Sequence, residues 1–219
     1  PADSALWRFG SRVLGRDAVS GETLTGYAPR GMSVEAWRDM TAAPRVYGFH
    51  ATLKAPFRLR EGLVRAELEA AVEHLAAGVS AFDLGPLKVN RVSFGGGEFV
   101  ALTPKREPPA LRAFESQAVR ELDRFRAPAT AAEIARRRPE RLTDRQRAYL
   151  TSWGYPYVLD EFRLHFTLSG ATGSAHELAQ SLADDFAALP TPDFRVDALV
   201  LFAQPPGGEF VVVRRFALA

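Results

Sequence analysis

Two stretches of the chain alternate apolar and polar side chains in the same way, and each contains a histidine followed two residues later by a threonine. They read Gly48-Phe49-His50-Ala51-Thr52-Leu53 and Arg163-Leu164-His165-Phe166-Thr167-Leu168. In an extended chain, residues two apart point to the same side. Each stretch is therefore predicted to place an imidazole beside a hydroxyl on one face of a strand, with the residue between them in a core.

Helical spacing of apolar positions predicts two long helices, at residues 62–77 and 111–125. A short helix is expected within residues 4–17, and Ser33 is expected to cap another that runs through Asp39. Further helix starts are indicated by three capping boxes, which are Thr130 with Glu133, Thr143 with Gln146, and Ser174 with Glu177. The last of these is expected to begin a helix that ends near residue 189.

The order of elements in the first half recurs in the last third of the chain. Strands are predicted at residues 82–92 and 98–102, around a turn at Gly95-Gly96-Gly97, and again at residues 194–202 and 209–214. The turn sequences Gly96-Gly97-Glu98-Phe99-Val100 and Gly207-Gly208-Glu209-Phe210-Val211 match each other. The two turn sequences follow their histidines at similar separations along the sequence, which indicates an internal duplication.

Duplicated halves commonly pack around a pseudo-twofold axis, so the two histidine strands are expected to face each other across one cleft. We predict a single bilobal domain over residues 1–219. It would comprise an N-terminal lobe at 1–105, a helical insert at 106–152 and a C-terminal lobe at 153–219.

The two histidines suggest acid–base chemistry, because an imidazole with an ordinary pKa near 6.5 can hold or release a proton at neutral pH. His50 and His165 would then act on one substrate, one taking a proton and the other giving one. The hydroxyls of Thr52 and Thr167 could donate hydrogen bonds to phosphoryl oxygens as charge develops there.

Strand alternation places a cation on the same face as each histidine, namely Lys54 after the first and Arg163 before the second, and both are candidate phosphate-binding residues. Tyr155 lies in an aromatic segment before the second motif and is a candidate for stacking on a base or sugar. Half-buried structural aromatics would give the same pattern. The run Arg136-Arg137-Arg138 is expected to be a solvent-exposed helix end.

Composition excludes several classes of site. The 219 residues contain no cysteine, which rules out disulfides and thiolate ligands and is expected of a cytoplasmic protein. The net charge of +2 gives only a weak preference for an anionic ligand. No apolar run is long enough for a membrane span, and the histidines lack the spacing of a zinc site, so neither membrane nor metal is expected. The start at Pro1, without methionine, suggests a truncated or processed sequence. In the family that the chain resembles, described below, a strand is usually expected ahead of Trp7, and it is absent here.

The two His-x-Thr motifs and the duplication resemble the 2H phosphoesterase superfamily. Within it, Tyr47-Gly48-Phe49-His50-Ala51-Thr52-Leu53-Lys54 and the segment from Trp153-Gly154-Tyr155-Pro156-Tyr157 to His165 resemble the DUF1045 family, which is associated with phosphonate-utilisation operons. The superfamily resemblance implies an α+β fold in which antiparallel sheets face a central cleft with helices outside. It also implies metal-independent cleavage of cyclic or 2′-linked phosphoesters, with no cofactor, the two histidines as the acid–base pair and the two threonines as phosphate ligands.

The operon association implies a ribose cyclic phosphate as substrate, such as 5-phosphoribosyl 1,2-cyclic phosphate. Two alternatives remain open from the residues alone. One is an RNA-end enzyme acting on 2′,3′-cyclic or 2′-5′ linkages, and the other is a non-catalytic module that binds a sugar phosphate or nucleotide. The sequence does not decide which histidine is the base, nor the oligomeric state.

Overall fold

The computed structural model describes residues 4–94, 97–190 and 194–219 of the chain. The predicted turn at Gly95-Gly96-Gly97 lies partly outside these ranges. The helices are α1 (Ala5–Leu14), α2 (Val34–Met40), α3 (Ala42–Arg45), α4 (Arg65–Ala77), α5 (Pro109–Leu122), α6 (Ala131–Arg136), α7 (Asp144–Trp153) and α8 (Ala175–Ala187). Short 3₁₀ turns occupy Asp123–Phe125, Pro139–Arg141 and Leu159–Glu161.

The strands form small antiparallel sheets. They are β1 (Phe82–Asp83), β2 (Leu87–Phe94), β3 (Gly97–Pro104), β4 (Phe166–Thr167), β5 (Arg195–Val196), β6 (Ala198–Ala203) and β7 (Val211–Ala217). Their neighbours follow the orders β2-β3-β4, β1-β5 and β6-β7. The mixed helix and antiparallel-sheet class predicted from the sequence is confirmed.

Several predicted helix boundaries are confirmed by their caps. Ser4 and Ser33 accept hydrogen bonds from the first turns of α1 and α2, and the capping boxes at Thr130 and Thr143 are both formed. The predicted box at Ser174 is wrong, because the Ser174 side chain makes no cap hydrogen bond to α8. The Ser174 N–H instead donates to the hydroxyl of Thr172, 3.1 Å away.

The long strands predicted after each of the two histidine segments are each interrupted. β1 and β2 are separated by Gly85, whose φ is +72°, and Pro86, which has no N–H to donate to a ladder. The histidine segments are extended but short as strands, since β4 covers two residues and the first segment forms a single bridge at Ala51.

Each of the two buried cores combines side chains from both halves of the sequence. In one core, α8 packs on β2 and β3, and this core contains Leu182 and Leu102. In the other, α4 packs on β6 and β7, and this core contains Leu75 and Phe216. The helix of each half therefore covers the hairpin of the other half, while the lobe boundaries at residues 105 and 152 stay a prediction.

Candidate functional site

The two His-x-Thr segments lie side by side, and the expectation that they face each other across a cleft is wrong. Ala51 pairs with Phe166 in an antiparallel bridge, and the rings of Phe49 and Phe166 stack with centroids 5.4 Å apart beneath it. Because side chains alternate between the two faces of a strand pair, the residues flanking this bridge point to the opposite side. The bridge thus joins the middle residues of the two motifs.

Continuing that register places His50 opposite Thr167 and Thr52 opposite His165. Opposed side chains on an antiparallel pair have Cβ atoms about 4.5–5.5 Å apart, and diagonal neighbours are about 7–8 Å apart. The two imidazoles are diagonal neighbours. One phosphodiester group can lie between side chains at that separation.

The ring of His50 is held by hydrogen bonds at both nitrogens. Nδ1 lies 2.9 Å from the carbonyl oxygen of Gly48, and Nε2 lies 3.0 Å from the hydroxyl oxygen of Thr52. A carbonyl oxygen can only accept, so Nδ1 carries the hydrogen in the neutral ring and Nε2 accepts the hydrogen of the Thr52 hydroxyl. The nitrogen turned toward Thr52 is therefore the basic one.

Gly48 fixes the direction of that carbonyl group. Its φ is +73°, and a Cβ atom there would lie 2.6 Å from the Cβ of Ala18. Arg16 lies next to Gly48, with Nη1 3.5 Å from the position that a Cβ atom would take there. The Arg16 side chain is 3% exposed, and its Nε lies 2.6 Å from Oε2 of Glu209. Glu209 belongs to the repeated Gly-Gly-Glu-Phe-Val sequence, so the second half of the chain supports the first histidine.

His165 repeats the arrangement of His50. Its Nδ1 lies 2.8 Å from the carbonyl oxygen of Arg163, again two residues earlier in the chain. The ring is also in contact with Phe99 of β3, with centroids 5.7 Å apart. In the neutral ring Nδ1 is again the donor, which leaves Nε2 as the basic nitrogen.

Both histidines are less basic than free imidazole. Burial lowers the pKa of His50 below 6.5, the hydrogen bond to Gly48 opposes this, and positive charge on His165 lowers the pKa further. Burial likewise lowers the pKa of His165, against the hydrogen bond to the Arg163 carbonyl. An effect of His165 charge on the pKa of His50 is expected of groups that lie close together.

Aromatic side chains form the wall beside His50. Tyr47 stacks on the His50 ring with centroids 5.9 Å apart, and Phe202 lies 5.8 Å from that ring on another side. Tyr155 lies near Tyr47, and the guanidinium of Arg137 lies 4.8 Å from its ring centroid. Burial raises the pKa of the Tyr155 hydroxyl, so this group remains a proton donor.

Lys54 does not join these groups. Its Nζ donates to the carbonyl of Val119 and to Oδ1 of Asp123, both at 3.1 Å, and its side chain is 9% exposed. The chain bends at residues 53–54, so strand alternation does not extend from Thr52 to Lys54. Burial lowers the pKa of Lys54 while Asp123 opposes this. These contacts favour a structural ion pair over the predicted contact with substrate.

A cavity of about 790 Å³ opens beside His165. Arg163 lies in its wall as predicted, with Nη1 3.1 Å from the Asp160 carbonyl. Sequence reasoning missed the other cations of the wall, which are Lys88, Arg91 and Arg141. The sequence signal that could have indicated one of them is the alternation of β2, where Lys88 occupies an outward position between the apolar Leu87 and Val89.

The described residues contain no group of three or more histidine, cysteine, aspartate or glutamate side chains placed to hold a metal ion. No helix among them is both long and apolar enough to cross a bilayer. The predicted cytoplasmic location stays a prediction.

Residues 52–211 match the family model described as "Protein of unknown function (DUF1045)". The chain belongs to the DUF1045 family. The matched region contains Thr52, the second motif and both Gly-Gly-Glu-Phe-Val sequences, and it begins two residues after His50. The DUF1045 assignment made from the two aromatic and histidine segments is thus confirmed.

The chain is also similar to two curated proteins, each named ribose 1,5-bisphosphate phosphokinase PhnN. The one from Janthinobacterium sp. (strain Marseille) is 34% identical over 98% of this chain and 48% of its own length. The one from Laribacter hongkongensis (strain HLHK9) is 34% identical over 95% of this chain and 47% of its own length. This DUF1045 chain therefore spans about half the length of the curated relatives it matches.

Proposed function

We propose that this DUF1045 protein is a metal-independent cyclic phosphodiesterase that acts on a small phosphorylated sugar. The observation that carries the proposal is the antiparallel bridge between Ala51 and Phe166, which brings the two His-x-Thr motifs to one place. The reciprocal packing of α4 and α8 supports the further proposal of a pseudo-twofold, 2H phosphoesterase-like fold.

The reaction we propose is hydrolysis with two proton transfers. Water attacks phosphorus and gives a proton to Nε2 of His50, the P–O bond to the sugar breaks, and the departing oxygen takes a proton from Nε2 of His165. The product is a phosphomonoester, and solvent then restores both protonation states. His50 is assigned as the base because its Nδ1 donates to Gly48, which leaves Nε2 as the acceptor, and because positive charge on His165 lowers the pKa of His50.

The remaining predicted residues take different parts in this proposal. When substrate binds, the hydrogen of the Thr52 hydroxyl turns from Nε2 of His50 to a non-bridging phosphoryl oxygen, which frees Nε2 to take the proton from water. The Thr167 hydroxyl donates to the other non-bridging oxygen as negative charge builds there. Arg163 contacts the substrate from the cavity beside His165, and Tyr155 lies against the aromatic side of the site. Lys54 instead stabilises the end of α5 through Asp123.

The names of the curated relatives support a phosphorylated ribose as the substrate class, and they also raise phosphoryl transfer as a second candidate function. This chain contains no Gly-x-x-x-x-Gly-Lys-Ser/Thr segment, which kinases of the P-loop type use to hold nucleotide phosphates. Since the match covers about half of each relative, we infer that the phosphokinase activity belongs to their other half.

The proposal is tested by replacing each histidine with alanine and following hydrolysis of ribose cyclic phosphates by phosphorus NMR. Because general acid–base assistance contributes about 10²–10⁴-fold, His50→Ala and His165→Ala should each lower kcat by a factor in that range. The exposed histidines provide matched controls, and His74→Ala and His176→Ala should retain full activity. EDTA should have no effect.

A substrate with a p-nitrophenolate leaving group separates the two roles. This group departs without protonation, so His165→Ala should recover most of its activity on an aryl phosphodiester, while His50→Ala should not. Full turnover of cyclic phosphates by either alanine variant would contradict the proposal.

Two further assays separate the alternatives. Transfer of labelled phosphate from ATP to ribose 1,5-bisphosphate would favour the kinase. Preferred cleavage of RNA 2′,3′-cyclic ends would favour the RNA enzyme, and ligand binding without any turnover would favour the non-catalytic module.

A further inference from the structure

Lys88 and Asn90 lie on the same face of the sheet as the second histidine motif. Asn90 pairs with Ala101 and Ala101 pairs with Thr167, so these three residues form a row across β2, β3 and β4. Lys88 pairs with Thr103, two residues along, which is level with His165. Paired residues of antiparallel strands share a face, and neighbouring strands are about 4.8 Å apart. Lys88 therefore lies about 10 Å from His165 across the sheet.

The cavity between these rows and the helical insert has an excess of positive charge. Lys88, Arg91, Arg141 and Arg163 line it, against the carboxylates Glu107 and Glu161. One oxygen of each carboxylate is already engaged, since Oε2 of Glu107 accepts from Arg112 at 2.9 Å and Oε2 of Glu161 accepts from Gln146 at 3.0 Å. Of the four cations, Arg91 is paired with Glu98 at 3.5 Å. In the part of the chain that the structure describes, no ion pair engages the ammonium of Lys88 or the guanidinium of Arg141.

The two ends of the site differ in chemistry. Beyond His165 lies the cationic cavity, while the surroundings of His50 are the aromatic rings of Tyr47 and Phe202. A substrate bound between the histidines would thus present its most anionic end to the cavity. A volume of about 790 Å³ is within the usual range for a small-molecule site.

We propose that this cavity binds a phosphomonoester on the same molecule whose cyclic phosphodiester lies between His50 and His165. A phosphomonoester offers three oxygens, which suit several guanidinium and ammonium donors at once. Lys88 and Arg141 are then determinants of specificity, and the preferred substrate carries two phosphate groups. This inference rests on the proposed function, because the second group is placed relative to the histidines.

The test compares a ribose cyclic phosphate that carries a 5-phosphate with the same compound lacking it. Wild-type protein should prefer the doubly phosphorylated compound by about 100-fold in kcat/KM, as expected for two charge-assisted contacts. In Lys88→Gln and in Arg141→Gln this preference should fall about 10-fold each, through a higher KM. The control Arg30→Gln, at an 82% exposed side chain paired with Asp184 of α8, should keep the wild-type preference.

Equal turnover of the two compounds by wild-type protein would overturn the second phosphate site while leaving the phosphodiesterase intact. If neither compound is hydrolysed, calorimetric titration with ribose 5-phosphate and with ribose still decides the question. Ribose 5-phosphate should bind wild type and Arg30→Gln, and binding should weaken about 10-fold or more in Lys88→Gln and Arg141→Gln. Equal affinity of all four proteins for this probe would contradict the inference.

Discussion

At the scale of single residues, both histidines are oriented by the same backbone contact. Nδ1 of His50 and Nδ1 of His165 each donate to the carbonyl oxygen two residues earlier. This contact selects the tautomer in which Nε2 is basic, and it does so without using another side chain. The face of the sheet is thus left free for groups that touch substrate.

The lowered pKa values of the two histidines predict an acidic optimum for turnover. A base must be neutral and an acid protonated, so kcat/KM rises with pH through one pKa and falls through the other. Burial lowers both values below 6.5, and the optimum should therefore lie below pH 6.5. The measurement is a pH profile of kcat/KM, obtained from initial rates at substrate concentrations well below KM. An optimum above pH 7 would contradict this prediction.

The shared face of each histidine and its threonine could be predicted, because alternation along a strand needs only the local sequence. Their catalytic roles stay a proposal. The place of Lys54 could not be predicted, since bends at residues 53–54 change its direction and Asp123, distant in sequence, engages it. Lys88 and Arg141 were missed because their position depends on strand register and on the insert, neither of which the local pattern specifies.

At the scale of elements, α5 holds the turn that leads to the second histidine. Glu115 is fully buried and accepts hydrogen bonds from the N–H of Leu159 at 3.1 and 3.2 Å. Arg112, one turn earlier, donates to the carbonyl of the same residue. Leu159 has φ of +57°, an uncommon conformation for a leucine, which these contacts from both sides keep in place.

Glu115 should make the stability of the protein depend on pH. Burial raises the pKa of Glu115 to about 7, against the Leu159 hydrogen bond, from an ordinary 4.5. Between these values the folded state binds more protons than the unfolded state, so the free energy of unfolding falls as pH rises. The fall from this group is about 3 kcal/mol between pH 4 and pH 8.

Urea unfolding at pH 5 and pH 8 checks this expectation. Glu115→Gln keeps an oxygen that can accept from Leu159, and it should lose the part of the pH dependence that comes from this group. The exposed Glu121→Gln on the same helix should keep the wild-type dependence. If the free energy of unfolding of Glu115→Gln depends on pH as it does in the wild type, the Glu115 carboxyl is ionised at both pH values and the expectation is wrong.

Most helix positions could be predicted because their caps and apolar spacing are local. The strand lengths could not be predicted from local sequence alone. Gly85 and Pro86 divide one predicted strand, and the first histidine segment contributes only the bridge at Ala51. Pairing across distant segments determined these lengths.

At the scale of the whole molecule, neither half of the sequence has a core of its own. Leu102 and Leu182 lie in one core, and Leu75 and Phe216 lie in the other, so each core needs residues from both halves. The duplication stays a prediction, made from the matching motifs alone. The exchange of helices between the halves could not be predicted from the sequence. Each helix would bury the same apolar face on the hairpin of its own half as on the hairpin of the other half.

Fragments 1–105 and 106–219 should therefore fold only together. Each alone would leave α4 or α8 without its hairpin, and circular dichroism should show no cooperative thermal transition. Co-expressed fragments should form a complex with such a transition and with phosphodiesterase activity. Cooperative unfolding of the 1–105 fragment by itself would contradict this expectation.

The exchange of α4 and α8 also bears on how such a chain could arise. A single ancestral half with this packing would have exposed both its helix and its hairpin, and it would have been stable only as two copies that traded helices. If the chain arose by the duplication that its matching motifs predict, it corresponds to two such copies joined into one polypeptide by the segment containing α5, α6 and α7. Joining the copies allows their two equivalent histidines to diverge, since one side can gain a cationic cavity without the other.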